Sequence, residues 1–151
     1  MTQENKELLL KDICSRLPYN VICQVEFKEN GKYNSKVMLL SGIFIDEAYF
    51  TIKGGSIYSN EYKPYLFPLS SMTDEQKREF YKFFEEGITE SANETRQWLR
   101  TKRADETRRP VTIAYVMVHE LVIEWLNKNH FDYRGLIEKG LAIDATGLNI
   151  Y

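Results

Sequence analysis

The sequence predicts an α+β protein: an N-terminal helix with a small antiparallel sheet over residues 1–72, followed by a mainly helical part over 73–151 that packs with the first as one compact unit. Three observations carry this. Leu9, Leu10, Ile13 and Leu17 recur at helical spacing, Val21 to Lys28 alternates with a period of two, and helix-start signals followed by wide apolar stripes dominate beyond Thr73. With 151 residues the chain fits one domain or two very small ones, and a hydrophobic fraction of 43% is enough to cover a modest core.

The first helix is expected from about Glu4 to Arg16, with Pro18 stopping it. Val21 to Lys28 then alternates as a half-buried strand should, and Asn30-Gly31 supplies the two positive-φ residues of a tight hairpin turn, so a second strand follows from about Tyr33. Val37 to Ile45 and Ala48 to Ile52 are rich in β-branched and aromatic residues, with a reversal at Asp46-Glu47. Gly54-Gly55 breaks the run before a further strand from Ser56 to Tyr62. In element order alone, a helix followed by such a meander resembles Sm-like and SH3-like barrels; that likeness carries no function.

Thr73 and Gln76 have capping-box spacing, and Asp74 and Glu75 suit a helix N-terminus, so a helix starts near Asp74 with Phe80, Phe83 and Phe84 on its stripe and Gly87 as its stop. Ser91 with Glu94 offers a second capping box for a helix through Trp98 and Leu99, and Pro110 marks a boundary. Residues 111–118 read as either strand or helix. From Val118 the positions Val118, Leu121, Val122, Trp125 and Leu126 share one helical face, ending near Asn129. Asp132 is placed to cap a short helix from Tyr133 to Lys139, Gly140 to end it, and Leu141 to Ile143 to form a strand. Leu136 and Ile137 are expected to be buried against the Leu121, Val122 and Trp125 stripe. This order of elements is similar to the tail of a winged-helix domain, although a seven-residue second helix is short for reading a DNA groove.

Charge and composition exclude several classes. The formal charge of -2 leaves no global basic field of the kind that coats nucleic acid. Locally, residues 96–110 carry six basic side chains against two acidic ones, among them Arg96, Arg100, Lys102 and Arg103. No apolar run reaches the ~20 residues that cross a bilayer, and Met1 to Glu7 is polar without a signal-peptide core behind it, so no membrane partner and a cytoplasmic location are expected. Cys14 and Cys23 both fall on apolar faces and are expected as buried, unlinked thiols.

No catalytic, metal or cofactor site emerges. His119-Glu120 opens like a zinc-protease motif, but Ile123 stands where the second imidazole is needed. Gly54-Gly55-Ser56 lacks the Lys-Ser/Thr ending of a phosphate loop, and Ser70-Ser71 lacks the glycine-flanked elbow of a serine hydrolase. His130 and Asp132 read as a helix C-terminal histidine and an N-cap rather than a catalytic pair. The candidate interaction surface is therefore Arg96, Arg100, Lys102 and Arg103 together with His130, Tyr133 and Arg134. The favoured activity is binding, first of a protein. The alternative is nucleic acid, through the basic segment, the tyrosines of the β half (Tyr49, Tyr58, Tyr62, Tyr65) or a winged-helix-like C-terminus. An enzyme comes third, and the oligomeric state is not legible.

Three stretches, Arg16-Leu17-Pro18-Tyr19, Lys63-Pro64-Tyr65-Leu66 through Pro68 to Thr73, and Trp125-Leu126-Asn127 followed by His130 to Ile137, together resemble a family of small uncharacterised proteins of gut Bacteroides and their phages. Residues 87–118 depart from that pattern. The resemblance implies a bacterial or phage cytoplasmic accessory protein, with no catalytic or binding residues to carry over.

Overall fold

The computed structural model describes residues 1–44, 47–52, 55–59, 61–101 and 109–151, so Asp46, Gly54, Lys102 and Arg103 lie outside the described residues. The chain is α+β and divides into two units, 1–71 with 127–151 and 72–126. The last 25 residues belong with the sheet rather than with the helices.

In the first unit, α1 (Gln3–Arg16) begins where the Thr2 hydroxyl accepts the Asn5 N–H, and it ends before a 3-10 turn at Leu17–Tyr19 that carries Pro18. β1 (Ile22–Glu29) and β2 (Lys32–Leu39) pair over their whole length, from Glu29↔Lys32 to Ile22↔Leu39. The turn between them has Asn30 at φ 50° and Gly31 at φ 79°, as the Asn-Gly signal requires. β3 (Gly42–Phe44), β4 (Glu47–Ile52) and β5 (Gly55–Ser59) form a separate antiparallel sheet. β6 (Tyr62–Pro68) returns to pair antiparallel with β1. Two short strands, β7 (Phe131–Asp132) and β8 (Ile143–Asp144), then pair parallel with β6.

Among the described residues these strands make two sheets and not a closed barrel, so the likeness to Sm-like and SH3-like barrels ends at element order. A side chain, not a continuous ladder, joins the sheets. The Ser59 hydroxyl donates to the Glu26 carbonyl (2.7 Å) and accepts from the Glu61 N–H (2.9 Å). The core combines Leu9 and Ile13 of α1 with Val21, Cys23, Val25, Phe50, Leu66 and Leu136. Each such aliphatic or aromatic side chain contributes about 1.5 to 3 kcal/mol on full burial. Cys23 is buried as expected, and burial pushes its thiol far above the ordinary range. Cys14 is exposed, contrary to expectation. The buried face of α1 is Leu9, Asp12, Ile13 and Arg16, and Cys14 is turned about 100° away from Ile13.

The second unit is a pair of helices, α2 (Asp74–Thr101) and α3 (Arg109–Lys128). The capping box forms as read, with the Gln76 N–H on the Thr73 hydroxyl and the Thr73 N–H on the Gln76 side chain. Gly87 does not stop the helix. A Cβ there would come within 2.5 Å of Leu121 Cδ1, so this glycine marks a close approach of α3 inside one continuous helix, and the Ser91–Glu94 box opens no new one. Phe80 meets Trp125 edge-on at 5.0 Å; contacts that run 80 to 125 and 87 to 121 make the two helices antiparallel. Residues 111–118 are helical, and Pro110 occupies the second position of α3, where its missing N–H costs nothing.

No helix forms at Tyr133–Lys139, which removes the second helix of the winged-helix likeness. Asp132 still caps: its carboxylate accepts the N–H groups of Arg134, Leu136 and Ile137. The turn closes at once, because Gly140 at φ 68° lets the Leu141 and Ala142 N–H groups return to the Leu136 carbonyl. Leu136 is fully buried, and it belongs to the cluster of Leu9, Ile13 and Val21 rather than resting on a helix-helix seam.

Candidate interaction site

The edge strand β2 has features that the sequence reading passed over. Among the described residues it pairs with β1 alone. A two-residue hairpin makes Glu29↔Lys32 a hydrogen-bonded pair, and every second pair after it follows suit; the Leu40 N–H on the Val21 carbonyl (2.8 Å) confirms the phase. Tyr33, Ser35, Val37 and Leu39 therefore direct their N–H and C=O groups away from β1. Their side chains share one face, and Tyr33, Val37 and Leu39 are 76%, 57% and 51% exposed. The residues whose outward backbone groups have no strand partner among the described residues are thus also the ones with uncovered apolar side chains. The signal was present in the alternation from Tyr33 to Leu39. Its exposure was not, because the same alternation fits a strand packed on that side.

On the opposite edge, β6 to β8, three of the expected surface residues are committed to an internal clasp. Asp12 and Arg16, both fully buried on α1, pair through Nε to Oδ2 (2.7 Å) and Nη2 to Oδ1 (3.1 Å), and Arg16 also donates to the Phe131 carbonyl (2.8 Å). Arg134 Nε reaches the same Asp12 carboxylate at 3.1 Å, with its side chain only 19% exposed. Tyr133 lies against both guanidinium groups, at 5.4 Å from Arg16 and 4.7 Å from Arg134, and accepts a hydrogen bond from Arg134. His130 is buried and stacks on the Tyr151 ring at 3.8 Å and 11°. Burial, with Arg16 nearby, lowers its pKa to about 4, so it is neutral at pH 7. Asp12, Arg16 and Tyr151 were missed as members of this group; the only sequence signal was the four-residue spacing of Asp12 and Arg16 beside a helix stop.

Of the basic set, Arg96 and Arg100 lie in the last turns of α2, and Lys102 and Arg103 lie outside the described residues. The structure does not bring Arg96 and Arg100 into the unit that holds His130, Tyr133 and Arg134. Tyr62 and Tyr65 are buried and offer no stacking platform. On the first unit an open cavity of about 330 Å³ is lined by Leu9, Gln24, Tyr62, Lys63, Leu141 and Ile143 among others. No helix among the described residues is long and apolar enough to cross a membrane.

Comparison with protein-family models, curated proteins and solved structures finds no match.

Proposed function

We propose that this chain is a non-catalytic binding protein that takes an extended segment of a protein partner onto the free edge of β2. The observation that supports it most is the coincidence on Tyr33, Val37 and Leu39 of outward backbone groups and exposed apolar side chains. Strand addition uses both, the backbone ladder for affinity and alternate side chains for selectivity. The flanking Lys32 and Lys36, both exposed, discourage pairing of the edge with itself and favour a partner strand that carries acidic residues. With the resemblance to the gut Bacteroides and phage proteins, the proposal extends to a cytoplasmic accessory protein of a bacterium or its phage.

Val37→Pro is the sharpest probe. The N–H it removes faces away from β1, so the hairpin keeps its ladder while an added strand loses a hydrogen bond and meets the proline ring. Affinity capture from a bacterial lysate with the 151-residue chain should yield a nuclease-resistant partner that Val37→Pro loses. Nucleic acid remains the second reading, because Arg96 and Arg100 stand where α2 runs into the basic segment. A catch that Val37→Pro retains, but that nuclease treatment or charge reversal at Arg96, Arg100, Lys102 and Arg103 abolishes, would replace the first reading with this one.

A further inference from the structure

The antiparallel ladder between β1 and β6 runs through Val25↔Tyr62, Gln24↔Lys63 and Cys23↔Pro64 and goes no further. The next residues in register are Ile22 and Tyr65. Because the Glu26 N–H bonds the Glu61 carbonyl, every second pair is hydrogen-bonded, and Ile22 with Tyr65 would be such a pair. A phenol takes that place. The Tyr151 hydroxyl donates to the Tyr65 carbonyl (2.8 Å) and accepts from the Ile22 N–H (3.4 Å), joining the donor and acceptor that the ladder would join directly.

The ring of Tyr151 has walls as well as a floor. His130 stacks on it at 3.8 Å, and Phe67 stands against it at 5.9 Å, itself braced by Phe131 at 6.2 Å. One wall is neutral because His130 has a depressed pKa, and although Tyr151 as a residue is 42% exposed, desolvation around its hydroxyl holds the pKa above the ordinary value, so it acts as a neutral phenol. The segment that delivers Tyr151 is weakly tied. After the Ala145 N–H has bonded the Leu66 carbonyl, the backbone bonds of the segment are local, Leu148 to Ala145 and Ile150 to Leu148, and residues 146–149 are exposed. Tyr151 is thus the far anchor of a strap.

We infer that the gap between β1 and β6 is a binding site for a phenol, held in cis by Tyr151 and open to the tyrosine side chain of a partner when the 145–151 strap lifts. The chemistry of the site selects this class. A flat ring fits between His130 and Phe67, and a single hydroxyl that both donates and accepts satisfies Tyr65 and Ile22 together. An aliphatic side chain would leave both backbone groups unpaired, and an anion would place charge against the Tyr65 carbonyl.

The experiment uses the full chain with Tyr151→Gly and 4-methylphenol as the probe, followed by thermal melts and by the amide resonance of Ile22. The expected result is saturable stabilisation of the variant, by about 3 to 6 °C at roughly ten times the dissociation constant, with the Ile22 resonance shifting along the same curve. Wild-type protein should respond only at much higher concentration, because its own phenol competes, and toluene should give little effect because it cannot bridge Ile22 and Tyr65. A folded Tyr151→Gly that ignores 4-methylphenol, or answers toluene equally well, overturns the inference. Should Tyr151→Gly fail to fold, Tyr151→Phe decides: faster exchange of the Ile22 amide than in wild type supports the hydroxyl bridge, and unchanged exchange overturns it.

Discussion

The two edges of the mixed sheet are finished in opposite ways. At the β6 side, the short parallel strand β8 covers the outer edge, and an aspartate-capped turn and the Asp12, Arg16 and Arg134 cluster tie this end of the sheet to α1 across more than a hundred residues of sequence. At the β2 side β1 alone pairs with the strand among the described residues, and Tyr33, Val37 and Leu39 are each more than half exposed. Exposed apolar edge strands invite association, and proteins usually blunt them. The chain thus buries an ionic network beside one edge and leaves the other without a second strand among the described residues. Of the aromatic and charged residues crowded into 125–137, those from His130 to Arg134 belong to the protected side.

Removing the charge that holds the clasp should give the largest effect. Asp12→Ala leaves Arg16 buried without its carboxylate and Arg134 without its partner, which should cost about 3 to 5 kcal/mol in denaturant unfolding. If instead the midpoint barely moves, the clasp is an incidental contact and the contrast between the edges loses its basis.

A smaller effect follows from His130. Its folded pKa of about 4 lies below the ordinary 6.5, so between these values the unfolded chain binds a proton that the folded chain refuses. The contribution of His130 to stability should be fully present above pH 6.5 and be lost as the pH drops toward 4, by up to about 3 kcal/mol. His130→Phe keeps a ring for Tyr151 to stack on and removes the titration. Its pH profile should be flatter than wild type by this amount, and identical profiles would show that His130 is already hydrated in the folded state.

Much of the fold was legible because its signals are local. The Asn30-Gly31 turn, the Thr73–Gln76 box and the α1 stop at Pro18 each act within four residues and appear where the sequence puts them. What was not legible depends on distant partners. Gly87 reads as a helix stop until Leu121 is seen to need its missing side chain, and Asp132 reads as the start of a helix although Gly140 closes the turn first. The site divides in the same way. Arg134 and Tyr133 read as a rim because nothing nearby reveals the buried Asp12 they serve, and the exposed face of β2 reads like any half-buried strand because exposure is decided by what fails to pack against it.

The open edge makes the smallest energetic claim and the most specific one, and residue-resolved amide exchange of the protein alone tests it most directly. Along β2 the amides of Asn34, Lys36 and Met38 face β1, and those of Tyr33, Ser35, Val37 and Leu39 face outward. The account predicts alternation, with slow exchange at the even positions and fast exchange at the odd ones. Uniform protection along the strand would show that the edge is already covered, by another part of the chain or by a second copy, and would contradict the claim that β2 is the strand this protein offers to a partner.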